Sequence, residues 1–528
     1  MQHEGVTSVP VERSSTQGLA GLAALSSLAV LVANASGIAT GDDGVGYRAI
    51  ADSLLAGEGL GYFLEDPVTV WPPLWPALMA LVAKVTPLDT LGAAIVLNAA
   101  VAFAVVVFGN RLLRQVVTDQ RLVWLGTVVL AFGPTTIGFG RLLMTDMAFA
   151  LLTVVWMLAL LRHHRTAAVR DLLGAALLVW VGFGLRYVGL VLIGFGGLWL
   201  LLDHRRALAR RVRDAALYGV ASAVVPALWM LRNHSIDGTF TGERHASARG
   251  LVDNGFDIAA TIGRFLLPGL GYGLTYLWAA VGVVTVLAGL WLVHRVLADR
   301  YGATTPAAVV RALGTPVGLL ALTGVLYLAY MLYVRTTTAL NQLDVRLLYP
   351  SYLPLLFLGL ALADRMLRPR RDRSPLPARA VLGGTAAWAG LNVVAGLVAM
   401  VAFALGHPYF SGNYEADQFD RVRADEALDA VPEGCEVYSN LPNALYPRLE
   451  ARWSPMRTAL ESREAPDPDD SLDAIEARAA REQSCLVWID LPPRYGHLWS
   501  LDELHDELSL TRLASGADVE VFRLEPST

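Results

Sequence analysis

The sequence predicts a polytopic all-α membrane domain followed by a small extracytoplasmic α/β domain. Three observations carry this. Hydrophobic residues make up 54% of the 528 and charged residues only 17%. Mean hydropathy is +0.46, a balance that belongs to membrane proteins and not to soluble enzymes. Apolar runs of spanning length recur from Gly18 to Leu405, each near the roughly 20 residues a bilayer requires. Beyond Leu405 the chain turns acidic, and short β-patterned runs alternate with helical ones.

The first 17 residues are polar and read as a cytoplasmic tail. The apolar run after them is too long for the core of a signal peptide and reads as a retained helix. Eleven spans are predicted, at 18–40, 91–112, 122–140, 146–161, 171–185, 187–202, 215–231, 270–293, 313–334, 347–363 and 380–405. Arginines then fix the orientation. Arg111, Arg114 and Arg121, then Arg162, Arg165 and Arg170, then the dense runs at 203–214 and 364–379 all fall on one side, with a weaker basic stretch at 294–311. Lys/Arg excess marks the cytoplasmic side. The reading is therefore a multi-pass plasma-membrane protein with its N-terminus inside and its C-terminal domain, 407–528, outside. The segment 71–87 is apolar but short and Pro-rich; counting it as a span would turn 203–214 outward. It reads as an interfacial or re-entrant helix of the 41–91 outer loop, with Trp71 and Trp75 at the membrane–water boundary.

Five features gather on the outer face: the loop 41–91, the turn before Asp146, the Arg186–Tyr187 corner, the loop 233–268 and the loop 335–346. Asp42 and Asp43 lie in the first. They would either cap the helix that follows or act chemically, because ionisable groups at a membrane surface default to a functional hypothesis. Tyr47 and Ile50 give that helix an apolar side suited to the interface. Asp146 is the second acid, either a cap shared with Thr145 or a partner of Asp43 in base and electrostatic work. Arg141 would pair with Asp146 or bind a phosphate. Arg186 and Arg346 stand where outer loops meet helices. They would snorkel or clamp phosphate, which guanidinium binds bidentately. Lys84 is a weaker third cation. Glu243 and His245 lie in a polar outer loop able to close over a substrate. Tyr47, Trp71, Tyr187 and Tyr349 complete the substrate-contacting candidates. Two acids without an outer His cluster would support one divalent ion, Mg or Mn, at Asp43 and Asp146, or none. His163 and His164 sit among cytoplasmic arginines and read as structural rather than metal-binding. Cys435 and Cys485 each begin a predicted strand (435–440 and 485–490, with a third at 519–524) and are either a disulfide or two buried thiols. No Walker, dinucleotide, HExxH or CxxC motif is present, and no basic, aromatic-interleaved domain suggests nucleic acid.

An acid four positions before Tyr47, a helix running into LLAGEGL, then PPLWP, resembles the polyprenol-dependent GT-C glycosyltransferases, in the branch of the protein O-mannosyltransferases and lipid A aminoarabinose transferases. RLLMTDMAF is similar to the branch's second acidic motif, RLLYPSYLPLL to its late arginine motif, and YSNLPNALYPRLEARW to its small external domain. The resemblance implies a sugar donor on a polyprenyl phosphate or diphosphate, a hydroxyl acceptor, and inversion at the sugar carbon. It implies that Asp43 is the base, with Asp42 beside it able to serve instead, that Asp146 is the second acid, and that Arg186 and Arg346 fall near the positions that hold the donor phosphate. The family often has Asp-Glu at the first motif; here Gly44 follows Asp43. The acceptor class stays open among protein, lipid A, a teichoic-type polymer and other cell-wall glycans. Alternatives are a transporter or flippase for lipid-linked sugars, a glycan ligase or polymerase, and a non-catalytic glycan-binding protein. Charge-poor midplanes and acids at one face count against transport.

Overall fold

A computed structural model describes residues 10–64, 66–268, 273–302, 304–367, 378–407, 413–458, 471–492 and 495–525. Much of the basic run 364–379 and the first part of the N-terminal tail lie outside them. The membrane domain begins with α1 (Pro10–Ala33), α2 (Asp42–Ala56), α3 (Leu74–Val85) and α4 (Thr90–Val116). It continues through α5 (Gln120–Phe132), α6 (Pro134–Arg141), α7 (Asp146–Thr166), α8 (Val169–Leu185), a 3-10 turn (Tyr187–Leu190) and α9 (Val191–Leu202). After these come α10 (Leu208–Asp237), α11 (Leu251–Leu266), α12 (Thr275–Tyr301), α13 (Pro306–Leu313), α14 (Pro316–Thr337), α15 (Val345–Leu367) and α16 (Ala378–Ala404).

Each of the eleven predicted spans contains helix among the described residues, although the first ends at Ala33 and the eighth begins at Thr275. Among the described residues, nine helices are long and apolar enough to cross a membrane. The other two predicted spans are shorter, α8 with 17 residues and the apolar stretch Tyr187–Leu202. The centre of the bundle is α7, with 72% of its most apolar window buried, whereas α12 and α16 are 17% buried. Their outward leucines and valines, such as Leu290 and Val398, are more than half exposed, as a lipid-facing surface requires. The predicted span 122–140 is in fact broken. Pro134 lacks an N–H and disfavours helix at Gly133, so α5 stops and α6 restarts. Backbone groups freed inside a bilayer must find partners. Thr136 and Ser26 supply them: the Thr136 hydroxyl donates to the Leu130 carbonyl at 2.7 Å and the Ser26 hydroxyl to the Ala131 carbonyl at 2.9 Å. At the other end of α6, Asn34 and Asn98 both donate to the Gly140 carbonyl, at 2.8 and 3.2 Å, and Asn98 also donates to the Leu142 carbonyl at 2.8 Å.

Two further readings are corrected. The segment 233–268 is not all loop: α11 packs on α12 so closely that a Cβ on Gly263 or Gly282 would strike the backbone of Trp278 or Ala259. In α3, which is too short at 12 residues to span, Trp75 is buried in the core at 1% exposure and not at the interface.

At the far end of the bundle, His163 and His164 are buried in a polar network. His164 Nδ1 lies 2.8 Å from Asp203 and its Nε2 accepts from Arg205 at 2.9 Å. His163 Nε2 accepts from Arg206, which also donates to Asp214 at 2.8 Å. Burial alone would raise the Asp203 carboxyl, but its hydrogen bond from His164 and the nearby Arg206 hold it below its ordinary value. These histidines staple α7 to the α9–α10 connection, and among the described residues no group of three or more metal-ligating side chains forms.

The C-terminal region is a five-stranded sheet: β1 (Glu436–Ser439), β2 (Arg452–Trp453), β3 (Ser484–Ile489), β4 (Ser509–Ser515) and β5 (Val519–Glu525), in the order β2-β1-β3-β5-β4. β1 pairs in parallel with β2 and β3, while β5 runs antiparallel to β3 and β4. The three strands read from sequence are present, and β2 and β4 are additional. Because β1 and β3 are neighbours, Cys435 and Cys485 meet in a disulfide across 50 residues of sequence. Closing a loop of that length stabilises by about 4 kcal/mol in the chain-entropy account. Cys435→Ser/Cys485→Ser is therefore expected to lower the melting temperature of this region in a thermal unfolding assay, with reductant reproducing the loss in the wild type.

Candidate active site

The five outer features converge at one end of the bundle. The join is a short parallel bridge between Ala39 and Leu142: Ala39 N–H donates to the Arg141 carbonyl at 2.8 Å, and Leu143 N–H donates to the Ala39 carbonyl at 2.9 Å. It places the first turn of α2 beside the first turn of α7, so the two acidic motifs face one region. Gly44 fits closely there: a Cβ would lie 3.1 Å from the Leu143 carbonyl and 3.3 Å from Thr40. A Glu in its place, as in the common form of the motif, would press on that bridge.

Neither Asp42 nor Asp43 caps α2; the cap residue is Gly41, with no side-chain bond. Asp43 Oδ2 pairs with Arg346 Nη1 at 3.0 Å, with the side chains 35% and 21% exposed. Asp146, wholly buried, pairs with Arg186 Nη1 at 2.6 Å, and its second oxygen has no hydrogen-bond partner. Arg346 lies within electrostatic reach of both acids. The result is two carboxylate–guanidinium pairs at the helix ends that meet here. Tyr47 lies between them, near Asp43, Arg186 and Asp146, and burial pushes its hydroxyl above its ordinary value.

The pairs open on a cavity of about 620 Å³ lined by Asp43, Tyr47, Trp71, Arg186, Tyr187 and Arg346, and closed by Arg244, Tyr330, Tyr333, Leu340 and Asn341. Trp71 packs on Tyr47 and Tyr62 with ring centroids 5.7 and 5.2 Å apart, and it fits because Gly46 leaves no Cβ in its path. Tyr187 also anchors the outer loop: its hydroxyl donates to the Thr69 carbonyl at 2.6 Å and accepts from Asn233 at 3.0 Å.

Other candidates fall elsewhere. Asp42 points away: its Oδ1 accepts from Asn443 at 2.6 Å and from the Tyr414 hydroxyl at 3.0 Å. Arg141 does not pair with Asp146; it donates to Ser36 at 3.0 Å. Lys84 is exposed at the end of α3 and does not line the cavity. Glu243 is exposed and His245 joins the 335–346 loop through its carbonyl, which accepts from Ala339 at 2.9 Å; their neighbour Arg244 reaches the cavity instead. Tyr349 lies fully buried beneath it, 4.3 Å from Phe139 ring to ring. Sequence reasoning missed Arg244, Tyr330 and Tyr333; Arg244 stood in the quoted polar loop, but nothing in its spacing separated it from Glu243 and His245.

The helix α2 is held between two bodies. Tyr47 and Ala51 pack into the membrane core, and Val45 and Ala49 into the core of the sheet region. So Tyr47 and Ile50, both buried, face protein and not the bilayer interface. Polar contacts fasten the second face: Arg48 to Glu415 at 2.8 Å, and the Tyr446 hydroxyl to Asp52 at 2.8 Å.

No protein-family model matches this chain, and no curated protein matches it in sequence. Solved structures do match. ArnT from Cupriavidus metallidurans, crystallised with undecaprenyl phosphate, superposes with a TM-score of 0.60 over 96% of this chain and 98% of that one, at 14% identity. The arabinofuranosyltransferase AftD from Mycobacteria superposes with a TM-score of 0.52 at 16% identity; the match takes in 97% of this chain but only 40% of AftD. The fold implied by the acidic and arginine motifs is thus the fold observed, and the chain is a multi-pass membrane protein of the GT-C fold, with a small α/β region after its helical bundle.

Proposed function

We propose that this protein is an inverting glycosyltransferase that moves a sugar from a polyprenyl-phosphate donor to a hydroxyl acceptor on the extracytoplasmic face of the plasma membrane. The observation that carries this is the pairing of Asp43 with Arg346 and Asp146 with Arg186, with Asp43, Arg186 and Arg346 lining one cavity. A lipid-linked phosphate leaving group needs fixed cations at bilayer depth, and a guanidinium is suited to it. An acceptor hydroxyl needs a carboxylate reachable from water. Asp43 is the more exposed of the two acids and takes the base role; buried Asp146 holds Arg186 in place. The donor phosphate competes with Asp43 for Arg346, so donor binding loosens that pair and frees the Asp43 carboxylate to face the acceptor hydroxyl. The aromatic wall of Tyr47 and Trp71 suits a sugar ring.

Among the described residues no group of three or more His, Cys, Asp or Glu side chains gathers that could hold a metal ion; a divalent ion, if bound, would be held by Asp43 and Asp146 and would neutralise charge on the leaving phosphate.

The test is transfer from a panel of polyprenyl-phosphate sugars by the purified protein, followed as loss of donor and labelling of candidate acceptors. Failure of every donor in the panel, with folded protein, would sink the reading in favour of transport or binding. A positioning role follows for the sheet region, because Asn443 and Tyr414 grip the residue next to the base. Asn443→Ala is expected to lower kcat about tenfold, as displaced catalytic groups do, with KM and melting temperature nearly unchanged. A loss confined to melting would make the contact merely structural.

A further inference from the structure

The end of the bundle opposite the acidic pairs carries a second concavity that the proposed reaction does not use. It is a groove of about 510 Å³ between α4, α7 and α8. α7 alone separates the two ends by about 30 Å at 1.5 Å per residue. The floor of the groove is apolar, with Phe108, Leu158 and Leu178, and its rim holds Arg111, Arg114, Arg162, Arg165 and Arg170 against a single carboxylate, Asp171.

The rim arginines keep donors in hand. Arg162 Nε faces Asp171 at 3.0 Å with its side chain 60% exposed. Arg165 Nη1 donates to Gln115 at 3.1 Å, and the Arg111 guanidinium lies 5.2 Å over the Phe108 ring. Each guanidinium carries five N–H donors, so these contacts leave most of them for an anion. An excess of four positive charges gathers around one opening. Beside it α8 presents Val169, Leu173 and Leu177, each more than 40% exposed. A soluble phosphate would satisfy the rim and leave the floor and this apolar wall uncovered. A phosphate on acyl chains covers both, and basic pockets between membrane helices bind anionic head groups in this way.

We propose that this groove binds an anionic glycerophospholipid, with its headgroup phosphate on Arg111, Arg165 and Arg170 and an acyl chain along the floor and α8. The proposal stands on the groove alone and does not depend on the reaction at the other end.

The experiment is native mass spectrometry of the delipidated full chain in detergent, titrated with phosphatidylglycerol, with phosphatidylcholine of the same chains, with polyprenyl phosphate and with inorganic phosphate. Two variants run beside it: Arg111→Gln/Arg165→Gln/Arg170→Gln, which strips the rim, and Gly174→Leu. Gly174 lines the groove and a Cβ there meets nothing within 4 Å, so a leucine side chain enters the groove with no backbone clash and removes no arginine. The wild type should prefer phosphatidylglycerol to phosphatidylcholine by about tenfold or more, at roughly a factor of five per surface arginine. The triple variant should lose that preference. Gly174→Leu should weaken phosphatidylglycerol binding with the rim intact, and it decides the matter if the triple variant does not fold. Equal retention of both lipids, unchanged binding in both folded variants, displacement by inorganic phosphate, or a preference for polyprenyl phosphate would each overturn the proposal.

Discussion

Asp43→Asn is expected to lower donor turnover by about two to four orders of magnitude, the range a general base contributes, while leaving the protein folded. The substitution is nearly isosteric. Its amide oxygen can still accept from Arg346, now 3.0 Å from Asp43 Oδ2, so the cavity keeps its shape and loses only the charge and the basicity. Asp43 is about one-third exposed, and breaking an ion pair that open costs about 0–1 kcal/mol. Activity and stability should therefore separate cleanly in this variant. Asp42→Asn is the control. Its carboxylate serves the sheet region through Asn443 and Tyr414, so its effect should be smaller and shared by Asn443→Ala. Turnover in Asp43→Asn within a factor of a few of wild type would remove the base assignment and leave the fold untouched.

Much of the fold was legible because hydropathy is a local, coarse signal. A run such as 91–112 has no alternative to a helix in lipid, and α4 runs Thr90–Val116. The disagreements have physical causes. α11 alternates acids with apolar residues, and its apolar side shows its purpose only against α12, where two glycines admit the contact. The Gly-Pro at 133–134 was visible, but its consequence was not, because the freed Ala131 carbonyl is satisfied by Ser26, 105 residues away in sequence. Within the site, Asp43, Asp146, Arg186 and Arg346 were readable as charges at helix ends, where capping and snorkelling competed with a chemical role. Their pairing was not: Asp43 meets Arg346 across 303 residues, and Asp42 meets Asn443 across 401. Which of two adjacent carboxylates faces the cavity depends on the 100° turn between successive helical residues and on what docks on the other side. Arg141 reads from sequence as a partner of Asp146 or a phosphate ligand; it donates instead to Ser36, on the other side of the bridge at Ala39.

Arg186→Gln is expected to cost both folding and catalysis, and the double variant Arg186→Gln/Asp146→Asn to restore only the first. Asp146 is fully buried and one of its oxygens already lacks a partner. Removing the guanidinium strands a charge in a low-dielectric setting, a loss of about 3–5 kcal/mol for a buried pair. Thermal unfolding in detergent should show a large drop, and the protein should be recovered in lower yield. Converting Asp146 to Asn in the same chain removes the stranded charge, and melting should return most of the way. Turnover should not return, because the donor phosphate loses one of its two guanidiniums; a fixed donor aimed at developing charge is worth about 10²–10³ in rate. Arg186→Lys separates the contributions further. A lysine keeps the charge opposite Asp146 but presents a point charge in place of a planar fork, so stability should be largely kept and turnover reduced. Recovery of turnover in the double variant would mean that Arg186 serves only to neutralise Asp146, and phosphate binding would then rest on Arg346 and Arg244 at the cavity wall.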